Sequence, residues 1–184
     1  MRHIREVAEA RKLNIIDMAV GFTAMLRVFE KGSASPIKTM LSRTLDRLGG
    51  VRTRRQFEGI HRRFCRAFVR NVRMAKTGAS ASYGHGAKVL DVTLKACIYY
   101  CSLPSSETAR RIRPLLHLAI DTPIMNHLRQ KHALCLSASS IAQISEADYG
   151  SLQDAADQEI ASAFGGRITR AELDDVLWRR LNRN

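Results

Sequence analysis

Apolar residues recur at intervals of three and four along almost the whole chain, which is the spacing of one face of an α-helix. No stretch shows the strict alternation of apolar and polar residues that is typical of a half-buried strand. At 184 residues the chain is long enough to bury a core. We therefore predict an all-α bundle of about seven or eight helices, forming a single domain over residues 1–184 that could divide into two small lobes.

Turn and capping residues mark where these helices should begin and end. We predict the third helix at about 52–76 and the fourth at about 87–101, separated by the glycine-containing joint "TGASASYGHG". Asp121 precedes Thr122 and Pro123 and is predicted to cap a helix. Two further pairs have the spacing of a capping box and predict two more helices: Ser145 with Asp148, and Thr169 with Glu172.

The charge of the chain is its most informative composition value. Thirty Lys and Arg side chains against seventeen Asp and Glu give a net charge of +13, and the excess lies in residues 1–145. Such a field favours a polyanionic partner. The N-terminus "MRHIREVAEARKLN" is charged and no run of apolar residues is long enough to cross a membrane. We expect a cytoplasmic protein without a membrane partner, and its oligomeric state stays open.

Cysteine and histidine spacing indicates no metal or cofactor. No Cys-x-x-Cys pair occurs, so we predict neither a disulfide framework nor a zinc site and expect buried thiols of a cytoplasmic protein. Three histidines likewise lack a convincing metal-ligand spacing. The residues concerned are Cys65, Cys97, Cys101 and Cys135, and His117, His127 and His132.

The predicted third helix carries most of the basic side chains. On a helical wheel its phenylalanines and Ile60 cluster on one side, and arginines line the opposite side. Only Glu58 supplies opposite charge within the helix, and like charges four residues apart are unfavourable unless an anion meets them. We predict contact with DNA phosphates, the alternative being a solvated charged face. The predicted DNA-binding residues are Arg55, Arg62, Arg66, Arg70 and Arg73.

The stretch "SYGHGAK" at 82–88 places two glycines at a joint between helices. Gly84 and Gly86 would allow a tight turn and a close approach to a ligand, and the following helix would point free N–H groups toward them. A phosphate is the natural occupant. Gly-x-Gly alone is a weak motif, and no strand precedes it, so a dinucleotide site is not indicated.

The longer pattern resembles a known family. "YGHGAKVLDVTLKAC" is similar to the hairpin of helix-hairpin-helix DNA glycosylases, which reads Gly-x-Gly-x-Lys and continues into a helix. "LAIDTPIMNHLRQKHAL" resembles the second signature of that superfamily, in which an Asp begins a helix. The resemblance covers 82–135 and is closest in spacing to the archaeal 8-oxoguanine type, and more loosely to glycosylases of phage defence. Ser82 and Tyr83 replace the usual Leu-Pro, and the cysteine cluster of some members is absent.

The resemblance implies excision of a damaged or modified base that is flipped out of duplex DNA. It implies that Lys88 is the nucleophile that attacks the sugar, with or without subsequent lyase chemistry, and that Asp121 is the catalytic carboxylate. Gly84, His85 and Gly86 would contact a phosphate from the hairpin. Which base is excised, and whether in repair or in antiviral defence, stays open.

Several alternatives stand beside this hypothesis. Lys88, Asp91 and Lys95 have the spacing of a surface salt-bridge ladder, and Asp121 could be only a helix cap. Trp178 and Tyr83 are candidates for stacking on a base, with packing as the alternative for both.

Two other functions are compatible with the sequence. The chain could be a non-enzymatic, helical DNA- or RNA-binding subunit of a larger complex, in which the basic helix follows phosphates. Arg111 and His117 also have the spacing of the Arg-x4–6-His motif of helical HEPN ribonucleases, a short motif that arises readily in a basic chain.

Overall fold

The structure, a computed structural model, describes residues 2–22 and 27–181. Within these residues the chain forms eight α-helices and no β-sheet, so the predicted all-α class is confirmed. Only two isolated bridges occur, between Phe29 and Met74 and between Arg73 and Ser80. The helices are α1 Arg2–Phe22, α2 Ala34–Arg47, α3 Arg54–Asn71, α4 Tyr83–Leu94, α5 Ser106–Ile112, α6 Thr122–Lys131, α7 Glu146–Phe164 and α8 Arg170–Leu181.

Local capping explains most of the helix starts. Asp121 caps α6 by accepting a hydrogen bond from the Ile124 N–H, as predicted. Ser145 and Asp148 form a capping box at the start of α7. Thr169 accepts from the Glu172 N–H while the Glu172 carboxylate accepts from the Thr169 N–H, which is the same arrangement before α8.

Helix α3 ends five residues earlier than predicted. After Asn71 the chain becomes extended, because Val72 adopts strand-like angles and Ala81 N–H donates to the Val72 carbonyl. Met74 bridges to Phe29, and Glu30 N–H donates to the Arg73 carbonyl. Residues 72–81 therefore form a closed loop that returns the chain to α3.

The predicted glycine hairpin is wrong. Ser82 forms a capping box with His85, which starts α4 at Tyr83 and not near 87. Gly84, His85 and Gly86 are consequently the buried first turn of the helix. Their N–H groups are already used: Gly84 donates to the Ile144 carbonyl, His85 to Ser82 Oγ and Gly86 to the Ser82 carbonyl. None of these three N–H groups therefore remains for a phosphate.

Close packing explains the two glycines of this turn. A Cβ at Gly84 would lie 2.5 Å from the carbonyl oxygen of Ile141 and 2.7 Å from the Cβ of Ile144. A Cβ at Gly86 would lie 3.0 Å from the Cβ of Phe68. The glycines thus allow α4 to approach both α3 and the chain at 141–144.

Helix α4 lies at the centre of the bundle. It contacts α1, α2, α3 and α7, and its most extensive contact is with α3. The buried apolar side chains form one continuous core, to which α1–α8 all contribute. The amphipathic prediction for α3 is confirmed, since Phe57, Phe64 and Phe68 are buried. The five arginines predicted to bind DNA are all exposed.

The thiols and the surface partly follow the sequence expectations. Cys65 and Cys97 are buried, whereas Cys101 is half-buried and Cys135 is exposed, so the expectation of buried thiols holds for only two of the four. All four are free. None of the helices in the described part of the chain combines the length and apolar character that crossing a bilayer requires.

We predict that Gly84→Ala lowers the free energy of unfolding by about 1–3 kcal/mol, because the new methyl group meets backbone and cannot be accommodated by a side-chain rotation. Gly150→Ala is the matched control in α7, where a Cβ has open space and the substitution should add about 0.5–1 kcal/mol. Urea unfolding of both variants measures the difference. Equal stability of the two would contradict the close approach at Gly84.

Candidate active site

The two residues predicted to be catalytic lie together. Lys88 on α4 and Asp121 at the start of α6 are 33 positions apart, yet Lys88 Nζ is 3.3 Å from Asp121 Oδ2. Both side chains are mostly buried, with 19% and 17% of their surfaces exposed. The other carboxylate oxygen, Oδ1, accepts the Ile124 N–H at 3.0 Å. The helix cap therefore fixes the carboxylate and leaves one oxygen to face the lysine.

A second lysine, directly after the end of α4, is neutralised by two carboxylates. Lys95 Nζ pairs with Asp174 Oδ2, and it lies 2.7 Å from Asp175 Oδ1. Burial works to lower the pKa of Lys95, but the two carboxylates outweigh it and raise the pKa. Burial raises the pKa of Asp174 to about 6, against the lowering effect of Lys95 and with the further help of Asp175 and Asp121. One ammonium thus serves two carboxylates, and Asp174 holds its proton more tightly than an exposed Asp.

A cavity of about 650 Å³ adjoins these charges. Val92, one turn after Lys88 on α4, lies in its wall. Trp178, which is 53% exposed, and Tyr100, which is 61% exposed, supply aromatic surface. The complete lining consists of residues from α1, α4, the following turn and α8: Ala19, Val92, Lys95, Ala96, Tyr100, Asp174, Asp175, Trp178 and Arg179.

The chain changes helical geometry where it borders this cavity. After α4 the residues Lys95–Tyr100 form one turn of π-helix, whose ends both line the cavity. Such wide turns inside helices occur frequently at functional sites. The hydroxyl of Tyr100 donates to Asp175. The π-helical turn is therefore bonded to α8 through both Tyr100 and Lys95.

The salt-bridge ladder considered for α4 does not form. Lys88 pairs with Asp121 and Lys95 with the two aspartates of α8. Asp91 points elsewhere and is almost fully buried, 2.9 Å from His61 Nε2 on α3. Lys88 and Asp91 of α4, and Lys95 directly after it, therefore each bind a different element, because a buried charge is stable only with a partner.

A second cleft lies around this buried aspartate. Tyr149 donates to Asp91 Oδ2 at 2.6 Å, and its hydroxyl lies 3.0 Å from His117 Nδ1. Burial works to lower the pKa of His61, but Cys65 and Asp91 outweigh it and raise the pKa to about 10. Burial, with the charges around it, lowers the pKa of His117 well below its ordinary value. The pKa values of the two imidazoles are therefore shifted in opposite directions, although their ring centroids are only 4.5 Å apart.

The stacking candidates separate into these two clefts. Trp178 and Tyr100 line the cavity near Lys88, whereas Tyr83 lines the cleft of His61 and packs on Tyr149 with ring centroids 5.6 Å apart. Of the two residues predicted to stack on a base, only Trp178 therefore lines the cavity whose wall includes Val92, one turn after Lys88; Lys88 and Asp121 do not line this cavity themselves.

The arginines of α3 lie on the other side of α4 from Lys88. At about 100° per residue, Lys88 is about 160° around α4 from Gly86, which contacts α3. Two of the arginines are paired: Arg62 Nε is 3.0 Å and Arg66 Nε 2.8 Å from the carboxylate of Glu146. Arg73 bonds to Ser80. The structure thus does not bring the predicted phosphate-binding face to the predicted catalytic pair.

The ribonuclease pair is not assembled either. Arg111 donates to the carbonyls of Val51 and Gly49, at 2.6 and 2.9 Å, and so ties α5 to the end of α2. His117 instead lies against Phe57, His61 and Tyr149. The guanidinium is therefore occupied with main-chain carbonyls and does not reach the imidazole.

Comparison of the chain with models of known protein families, with curated proteins and with solved structures gave no significant match. A functional proposal for this chain consequently depends on its own residues and their geometry.

We predict that the Asp174 carboxyl titrates with a midpoint near pH 6 in the folded protein, because burial opposes its ionisation. This folded pKa is above the ordinary value of 3.8, so its contribution to stability is complete below about pH 3.8 and is lost as the pH rises through 6. Carboxyl ¹³C NMR measures the midpoint, and Asp174→Asn identifies the signal by removing it. A midpoint at or below 4 would contradict the burial of this charge.

Proposed function

We propose that the chain is a DNA glycosylase that removes a modified or damaged base from duplex DNA, with Lys88 as nucleophile and Asp121 as the catalytic carboxylate. The observation that carries this proposal is the 3.3 Å approach of Lys88 Nζ to Asp121 Oδ2. These are the two positions at which the sequence resembles the lysine and the aspartate of helix-hairpin-helix glycosylases. A coincidence of sequence pattern alone would not require them to meet in space.

The geometry is compatible with attack on a sugar. Lys88 must lose a proton before its amine can form a bond to C1′, and Asp121 Oδ2 is the acceptor beside it. As the Nζ–C1′ bond forms, the bond from C1′ to the base breaks. The departing base takes up the proton that Asp121 received. Ile124 N–H holds the other carboxylate oxygen, so the acceptor keeps its position during the transfer.

A neighbouring cavity, whose wall includes Val92 one turn after Lys88 but neither Lys88 nor Asp121, is the candidate pocket for an extruded base. Its volume of about 650 Å³ is within the range of small-molecule sites. Trp178 offers a ring on which a base can stack. A protonated Asp174 can donate a hydrogen bond to a base edge, and the raised pKa keeps this form accessible near pH 6. The cavity therefore combines apolar surface with a few polar groups, as recognition of a base requires.

The exposed arginines nearest to this cavity are on α8. Arg179 lines the cavity, and both Arg179 and Arg180 are exposed in the last turn of the helix. We propose that they hold the DNA backbone beside the extruded nucleotide. The exposed arginines of α3 would contact the nucleic acid only if it extended around the bundle.

A second candidate function is supported by the arginine face itself. Arg55, Arg63 and Arg70 are exposed, and the structure shows no acidic partner for them among the described residues. A non-enzymatic subunit that binds DNA or RNA through α3 would use this face and not the Lys88 cavity. The two functions differ in which arginines matter and in whether a base is released.

We predict that wild-type protein forms a borohydride-trapped covalent adduct with duplex DNA that contains an abasic site or its modified base. Lys88→Gln should abolish the adduct, because no amine remains. Asp121→Asn should slow base release at least about 10²-fold while α6 stays capped, since Asn is an equally good N-cap. Gel electrophoresis of adducts and chromatography of released bases, over a panel of oxidised, deaminated and alkylated substrates, measure both effects.

Lys38→Gln is the control, because Lys38 also pairs with an aspartate, Asp17, at 2.9 Å. Its adduct yield should equal that of the wild type. Base release that survives Lys88→Gln would overturn the nucleophile assignment. No base release from any substrate, with DNA binding intact, would favour the binding subunit.

We predict that Arg179→Ala with Arg180→Ala weakens DNA binding and reduces the slope of log K against log salt by about 2, roughly one for each lost phosphate contact. Arg62→Ala with Arg66→Ala should leave the slope unchanged, because Glu146 already pairs with both. Fluorescence anisotropy at several salt concentrations measures the slopes. The opposite ranking would place the nucleic acid on α3.

A further inference from the structure

The second cleft brings together a set of side chains that the glycosylase proposal does not use. His61 from α3, Asp91 from α4 and His117 from the segment before α6 each offer one donor atom, and these three atoms lie within 4.8 Å of one another. All three residues are buried, with 2%, 3% and 8% of their surfaces exposed. The sequence could not show this set, because its members are separated by 30 and 26 positions.

We propose that His61, Asp91 and His117 form a binding site for a divalent transition-metal ion, with Tyr149 positioning the carboxylate. The shared ligand chemistry is that of Zn²⁺ and Fe²⁺, both of which are bound in proteins by two imidazoles and a carboxylate.

The distances fit this donor set. Bonds of 2.0–2.2 Å to zinc place two ligands of a tetrahedral site about 3.4 Å apart. Here His61 Nε2 lies 2.9 Å from Asp91 Oδ1, and the three donors together span no more than 4.8 Å. An ion between them requires the donor atoms to shift by about 0.5–1.5 Å to reach this spacing. The proton that His61 Nε2 shares with Asp91 leaves when the ion binds.

The surroundings supply the outer partners that metal ligands usually have. Tyr149 donates to Asp91 Oδ2, which leaves Oδ1 directed toward His61. On the far side of the His61 ring, Nδ1 lies 3.6 Å from Cys65 Sγ. The Tyr149 hydroxyl also lies 3.0 Å from His117 Nδ1 and 3.2 Å from His61 Nε2, so an entering ion replaces these two contacts while Tyr149 keeps its bond to Asp91 Oδ2.

The cleft gives the site an access route. Its volume is about 210 Å³, and both imidazoles and Tyr149 lie in its wall. Three carboxylates, Glu58, Glu146 and Asp154, and two arginines, Arg62 and Arg170, also line it, so acidic groups outnumber basic ones there. A water or another small ligand entering from the cleft could complete the coordination, as in sites with three protein ligands. The cleft shares no lining residue with the cavity near Lys88.

An ion at this site would join four parts of the fold. The three ligands and Tyr149 come from α3, α4, the segment before α6 and α7. Because the donors meet only in the folded chain, binding favours the folded state and raises the melting temperature. The proposed role is independent of the glycosylase proposal and holds whether or not a base is excised.

The experiment uses full-length protein treated with a chelator and then titrated with Co²⁺ or Zn²⁺. We expect one ion per chain, visible d–d absorption with Co²⁺, and a higher melting temperature with Zn²⁺. His61→Gln and His117→Gln should each lose this binding. Tyr149→Phe should retain it with affinity lowered about 10–100-fold, as for other outer partners of metal ligands. Titration with Fe²⁺ under anaerobic conditions shows which of Zn²⁺ and Fe²⁺ binds with the higher affinity.

His127→Gln is the control, because His127 pairs with Glu159, 3.0 Å away in another part of the structure. It should bind Co²⁺ as the wild type does. Side-chain ¹⁵N NMR of the wild type provides a test that needs no variant: Zn²⁺ should shift the ring nitrogens of His61 and His117 and not those of His127. No bound ion, or equal binding by His61→Gln, would overturn the proposal and leave the cluster as a hydrogen-bond network.

Discussion

The close burial of α4 is the constraint on which the rest of the structure depends. Gly84 and Gly86 remove the side chains that would hold this helix away from its neighbours. Once the helix is inside the bundle, its charged residues need partners, because an unpaired buried charge costs several kcal/mol. Lys88 and Asp91, together with Lys95 directly after the helix, have their partners in three different elements. The packing of one helix thereby determines where α3, α6 and α8 lie.

Short-range sequence patterns were sufficient to predict the all-α fold. They gave a wrong prediction where one pattern, Gly-x-Gly, is compatible with two different structures. The helical period and the caps at Asp121, Ser145 and Thr169 predicted elements that the structure contains, because capping depends on residues three positions apart. Gly-x-Gly was interpreted as a turn, whereas Ser82 and His85 cap the helix before the first glycine. The glycines serve distant contacts with Ile141 and Phe68, which no short sequence window can reveal.

The same distinction applies to the sites. Lys88 and Asp121 were predicted from a resemblance that carries long-range information, and the structure places them in contact. The cluster of His61, Asp91 and His117 was missed, because the sequence offered only three isolated residues without metal-ligand spacing. The weak clues were a histidine and an aspartate on the inward faces of helices that are otherwise apolar there. A buried polar residue on such a face needs a partner, and that partner can be anywhere in the chain.

The two buried lysines in and directly after α4, Lys88 and Lys95, differ in how many carboxylates they contact. Lys95 is shared by two carboxylates of α8 and is therefore held in place by them. Lys88 is paired with one carboxylate, whose second oxygen is already bound by a helix N-terminus. A structural ion pair gains stability from multiple bonds that satisfy both partners. The Lys88–Asp121 pair makes fewer bonds, and 19% of the Lys88 side chain is exposed against 11% of the Lys95 side chain, so Lys88 is the more accessible of the two ammonium groups.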